Sequence, residues 1–206
     1  MRTFRLTAPI ALAAIALIAL VLVAAAAVPP QDAAPPPDAA DPMVEMMKLA
    51  QPGPEHEELA KYAGTWECDV TLAMAPGAEP LRQTATVAAR PILGGRFLQV
   101  ETSGDVMGQP FESLTVFGFD RRHGQWTMVG FDTLGTYWVS ATGERGEDGV
   151  IRMHGRDDDP MGAQVFVNEL RLQGDDAFSS SLHVTQLGPQ TFDEPFKMVE
   201  VKYRRR

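Results

Sequence analysis

The sequence predicts an all-β protein: an antiparallel up-and-down barrel of about ten strands, preceded by a short N-terminal helical segment. Three observations carry that expectation. Hydrophobic periodicity changes from about 3.6 to about 2 residues at Gly64. Turn residues then recur roughly every ten positions, from Pro76-Gly77 through Gly94-Gly95 to Gly188-Pro189. No helical pattern returns afterwards, and closure into a barrel leaves a long run of hairpins without a free edge.

The first part of the chain has a different composition. Arg2 and Arg5 precede an almost wholly Ala, Leu, Ile and Val run from Leu6 to Val28, with small residues at Ala24 to Ala27. A basic start, an apolar stretch and an A-x-A-like end describe a secretory signal over residues 1–28. The run also reaches the ~20 residues that a membrane span needs, so the alternative is an uncleaved N-terminal anchor. No Cys occurs in this region, which excludes a lipoprotein anchor. Either way the expected location is exported, periplasmic or extracellular. Residues 29–42 are rich in Pro, Ala and Asp and read as a disordered linker, because they offer no apolar surface to bury. Residues 43–206 then form one domain, long enough to bury a core without disulfides.

Within that domain MVEMMKLA is a first short helix, ended by Gln51-Pro52-Gly53-Pro54. A second runs from Glu55 to Ala63, with Pro54 and three glutamates at its start and Gly64 expected as the residue that stops it. Trp66, Cys68, Val70, Leu72 and Met74 then alternate with polar residues as a half-buried strand. Runs such as RFLQVET, ESLTVFGFD, QWTMVGFDT, YWVSATGE, QVFVNELRL, FSSSLHVTQL and FKMVEVKYR supply the later strands, and Arg90-Pro91 should mark a strand end. Several of these runs are apolar on both faces, so alternation alone leaves their inward faces open. Cys68 is the single cysteine, so no intrachain bridge exists, and its place on the Trp66 face predicts burial. The net charge of −9 disfavours nucleic acid, and the Arg204-Arg205-Arg206 end reads as a solvated tail. A membrane contact is expected only through the N-terminal segment, and the oligomeric state stays open.

The segments PGPEHEELAKYAGTWECDV, ILGGRFLQVETSGDVMGQPFESLTVFGFD, the DDPMG turn at Asp158 to Gly162, and FKMVEVKYRR resemble the DUF1579 family over about residues 45 to 205. That resemblance implies a barrel similar to lipocalins and fatty-acid-binding proteins, with no activity to carry over. A short helix leading into Gly64-x-Trp66 is also similar to the lipocalin signature. There the Trp plugs one end of the barrel beneath a cation from the last strand, here Lys202, Arg204 or Arg205.

Sequence elements for other chemistry are sparse. There is no G-x-S-x-G elbow, no H-E-x-x-H and no paired Cys or His at metal-ligand spacing, and no metal or cofactor is expected. His56 and His123 are expected in solvent. His154 and His183 lie within strands and either face a barrel interior, where they would meet a ligand or haem, or point outward. Asp157-Asp158-Asp159 reads as a solvated hairpin turn. Trp126, Phe131, Tyr137 and Trp138 are either core or pocket lining. The expected ligand-binding residues are Trp126, Trp138, His154 and His183, with Gly64 and Trp66 as the structural plug. The leading functional expectation is a module holding a small apolar or amphipathic molecule. The alternatives are an isomerase- or hydrolase-type enzyme using Glu101, Asp132, Glu169 or a His, and an interaction domain with a filled barrel.

Overall fold

A computed structural model describes residues 41–159 and 162–206. The segment expected as a signal or anchor, the linker over 29–40 and the Pro160-Met161 tip of the DDPMG turn lie outside the described residues. Two short helices, α1 (Pro42–Leu49) and α2 (Pro54–Ala60), lead into ten strands. These are β1 (Gly64–Leu72), β2 (Leu81–Ile92), β3 (Phe97–Val106), β4 (Gln109–Asp120), β5 (Gln125–Asp132), β6 (Trp138–Arg145), β7 (Ile151–Asp159), β8 (Gly162–Leu172), β9 (Ala177–Leu187) and β10 (Gln190–Arg205). Each pairs antiparallel with its sequence neighbours, and β1 pairs with β10, so the barrel is closed and up-and-down.

Alternation decides what points inward. On β1 Trp66 and Cys68 are buried, and so are Val87 and Ala89 on β2 and Leu98 and Val100 on β3. Turn chemistry sets the register. Met107 and Gly108 both have positive φ (56° and 80°) between β3 and β4, the requirement of a two-residue type I′ hairpin. Pro91 is still paired, with Leu98, so β2 ends one residue beyond the expected break, at Ile92. Pro195 lies within β10, where the pairing jumps from Thr191 to Phe196; the bulge removes the need for the N–H that proline lacks. β1 stops at Leu72, and Met74 is exposed beyond it.

The helical segment closes the end of the barrel where β1 starts and β10 finishes. α2 ends at Ala60 with Lys61 as its C-cap, before Gly64, so Gly64 is not its stop residue. The carbonyls that follow would have no partner within the helix. Trp66 Nε1 donates to Tyr62 O at 3.0 Å. Arg205 donates to Lys61 O at 2.8 Å and to Ala63 O at 3.0 Å. The same guanidinium lies 4.4 Å from the centroid of the Trp66 ring, which is fully buried, and it reaches Asp175 O on the β8–β9 turn at 2.7 Å. Gly64 has a positive φ of 137°, and a Cβ there would sit 2.9 Å from Arg205 Nη1; glycine makes room for the arginine. Lys202 and Arg204 fall on the outward face, paired with Glu200 and Asp69.

Three further arginines hold the leader down. Arg145 bridges Glu58 at 2.6 Å and lies 5.2 Å over the Trp126 ring. Arg96 donates to Ala50 O, and Arg121 to Lys48 O and Gln51 O. His56 is 6 % exposed, contrary to the expectation of solvent: its Nδ1 accepts the Gly53 N–H at 3.0 Å, and its ring meets Phe119 edge-on. It serves α2 as an N-terminal cap in a chain that has glycine, with no side-chain acceptor, at the cap position.

This geometry makes Trp66→Ala expensive. Denaturant unfolding should show a loss of about 3–5 kcal/mol, as for other large buried truncations. Arg205→Met should cost less, about 1–3 kcal/mol, because the indole stays buried while the carbonyls lose their donors. Wild-type stability in Trp66→Ala would refute the closing role of this end.

Candidate functional site

The interior is not filled evenly. On the β6–β8 side Ile151, Met153, Phe166 and Leu170 are buried and close the wall. Gly155 permits this, since a Cβ there would sit 2.2 Å from the Phe166 ring. Toward β1–β5 and β10 a cavity of about 290 Å³ remains. Its apolar lining includes Val70, Val100, Phe117, Met128 and Val201, and it reaches Leu72, Val106, Phe111 and Leu134 at the end opposite Trp66. Asn168 and Ser180 also line it, satisfied by their mutual hydrogen bonding at 3.2 Å.

At depth the cavity meets Tyr203, whose ring stacks on Phe178 with centroids 3.9 Å apart. Burial, reinforced by nearby Cys68, raises the Tyr203 phenol well above its ordinary pKa and keeps it a neutral donor. Its hydroxyl has no hydrogen-bond partner among the described residues and borders the cavity. A polar atom inside the barrel would find it available. Tyr203 was not singled out by sequence, although its two-residue offset from Val201 and Arg205 places it on the inward face of the last strand.

The expected ligand-binding residues do not gather here. Trp126 is buried at the closed end, edge-on to Phe119 and beneath Arg145. Trp138 is 63 % exposed, because Ala141 sets the inward parity of β6 and Trp138 has the opposite one. Phe131 and Tyr137 are exposed as well, so three of these four aromatics are neither core nor cavity lining. His154 is exposed on the outer face of β7, between inward Met153 and Gly155. His183 is outward on β9 and half-buried. Neither imidazole faces the interior, so neither is placed to ligate a group held there.

His183 sits in a polar cluster on the outer sheet. Ser181 Oγ lies 3.0 Å from His183 Nε2, and Glu169 Oε2 lies 4.0 Å from that same nitrogen. A Ser-His-acid relay needs the hydroxyl and the carboxylate on opposite ring nitrogens, and this cluster lacks that order. Burial opposes the Glu169 charge, but the Arg171 hydrogen bond and the Arg152 and Arg171 charges outweigh it, and its pKa is lowered. Burial also lowers the His183 pKa, with Glu169 pulling the other way. Glu101 is exposed on β3, whereas Asp132 lies at the cavity rim. Asp157 and Asp158 belong to β7 and not to a free turn, with Asp158 bound to Arg156 at 2.8 Å. Among the described residues no group of three or more His, Cys, Asp or Glu is arranged to hold a metal.

The family model for DUF1579, described as a protein of unknown function, matches residues 51–205. Among curated proteins, none matches the chain. Of solved structures, the crystal structure of Rv2717c from M. tuberculosis is similar at 16 % identity, covering 76 % of this chain and 99 % of that one, with a TM-score of 0.52. At that identity the likeness concerns the fold.

Cys68 gives this site a test in the native state. Burial raises its thiol pKa to about 11, and its S–H points to Ala85 O at 3.4 Å. Labelling with dithionitrobenzoate at neutral pH should therefore be slow in the native protein. It should become rapid only as denaturant opens the barrel; rapid native labelling would contradict the burial.

Proposed function

The chain belongs to the DUF1579 family of proteins of unknown function, and we propose that it binds a small apolar or amphipathic molecule inside its barrel. The observation carrying this reading is the cavity of about 290 Å³, apolar in most of its lining and bounded at depth by an unpartnered Tyr203 hydroxyl. Small-molecule sites begin at about 300 Å³, so the volume suits a slender ligand. The Trp66 end is blocked by indole and guanidinium, so the ligand enters past Leu72, Val106 and Leu134. Binding would draw on desolvation in a preformed cavity, with the phenol orienting one polar atom.

The proposal includes export, supported by the basic and apolar pattern of residues 2 to 28. Fractionation of the native host with intact-mass measurement tests it. The expected species is either a shortened chain outside the cytoplasm or a full-length chain in the membrane fraction. A full-length soluble cytoplasmic protein would overturn that part.

Binding itself is tested with N-phenyl-1-naphthylamine, a neutral dye that brightens in apolar surroundings. It should titrate to one saturable site. Ser113→Trp, which places an indole in the cavity, should weaken it by about tenfold or more while the melting transition persists. His154→Ala, on the outer face, should bind as wild type. Absence of saturable binding by folded protein would sink the reading in favour of a filled interaction domain.

A further inference from the structure

The two ends of the barrel carry charge differently. At the closed end both signs are present and paired: Arg96, Arg121, Arg145 and Arg205 are engaged with the helical leader, and Glu58, Asp120, Asp148 and Asp176 are bridged by Arg145, Arg122, Arg152 and Arg205. At the open end each hairpin brings a carboxylate: Glu79 between β1 and β2, Asp105 before the β3–β4 turn, Asp132 before the β5–β6 turn, Asp157 and Asp158 on β7, and Asp193 and Glu194 on β10. Of the cations at this end, Arg156 is taken by Asp158 and Lys197 by Glu200, and Arg82 points outward from β2, opposite in parity to cavity-lining Gln83.

Two of these carboxylates stand at the cavity mouth. Asp132 shares the inward parity of Trp126 and Met128 on β5, whereas Asp105, across the rim on β3, has the outward parity of Glu101 and Ser103 and borders the mouth only from the strand end. The backbone fixes both: Leu134 N–H donates to Asp132 Oδ1 at 2.8 Å, and Gly108 N–H to Asp105 Oδ1 at 2.6 Å. The second oxygen of each has no partner among the described residues. No Lys, Arg or His lines this cavity. The rim charges therefore stand at the mouth of an apolar cavity and not on a bare acidic surface.

We propose that the ligand is a cationic amphiphile, an amine or quaternary ammonium on an apolar body, seated with its positive group at the mouth beside Asp132, within the field of Asp105, and its apolar body among Val70, Val100, Phe117 and Val201. This rests on the cavity-binding reading and adds the sign of the headgroup. A carboxylate ligand, such as a fatty acid, would enter through a ring of like charge and find no counter-charge inside. A cation is drawn to the mouth by the same field and meets the inward-facing Asp132 there.

Competition against N-phenyl-1-naphthylamine with three ten-carbon probes of different charge tests the sign. At low ionic strength decylamine should displace the dye about tenfold more effectively than decanoate, with decanol between them. Added salt should narrow the gap. The double variant D105N/D132N should bring the amine-to-acid ratio close to one, with its melting transition recorded to show that it folds. Equal or better displacement by decanoate, or a full gap surviving in the folded double variant, would overturn the proposal while leaving cavity binding intact. Failure of folded wild type to bind even the neutral dye would overturn both.

Discussion

The contact on which the rest of this structure depends is one arginine meeting one helix end. A helix of seven residues is too short to persist alone, and the carbonyls after α2 need donors from elsewhere. Arg205, the last residue of the last strand, supplies two of them, and Trp66, near the start of the first, supplies the third. Since β1 and β10 are also the pair whose hydrogen bonding closes the barrel, the leader can dock only when closure has brought these residues together. Stacking of the guanidinium on the indole adds a cation–π attraction, and its reach to Asp175 O extends the link to the β8–β9 turn.

Closing one end decides what the other can do. The aromatic group of Tyr62, Trp66, Phe178 and Tyr203 fills the barrel near Arg205, each ring packed edge-on or stacked on the next. Phe166 fills the opposite wall because Gly155 yields the space. What remains is a cavity that reaches the end opposite Trp66, its walls mixing small and β-branched residues with Phe111, Phe117 and Met128. Backbone closure also consumes the edge hydrogen-bonding groups that would otherwise recruit another strand, which leaves side chains as the means of recognition.

Much of the architecture was legible in the sequence because it depends on local rules. The change of period at Gly64, the spacing of turns and the inward set Trp66, Cys68 and Val70 need only alternation. Site residues were less legible. The QWTMVGFD and TVFGFD runs are apolar on both faces because the outer face of this wall is itself packed, with Phe97 lying over Gly118. With no polar face to mark the outside, parity for Trp138 came only from its pairing. Choosing among Lys202, Arg204 and Arg205 likewise required the β1–β10 register. His56 was misjudged for another reason: capping through a side chain at the third position of the helix compensates for a glycine that has nothing to offer, a role visible only once the loop is folded back.

The division of charge follows from the same economy of the fold. Arginine suits the closed end because its planar fork can bond several carbonyls and still cover an aromatic ring, work that lysine's point charge does not do as well. Aspartate suits the turns of both ends because its short side chain accepts backbone N–H groups, as Asp105 does from Gly108 and Asp132 from Leu134 at the open end, and Asp120 from Arg122 and Asp148 from Val150 at the closed one. Each residue type is thus explained locally, by capping or by turn formation. The ends differ in how these carboxylates are answered: Asp120 and Asp148 meet Arg122 and Arg152 at the closed end, whereas Asp105 and Asp132 form no ion pair among the described residues at the open one. On the proposal of cavity binding, that unanswered charge would act on a headgroup at the mouth before any contact inside the barrel was made.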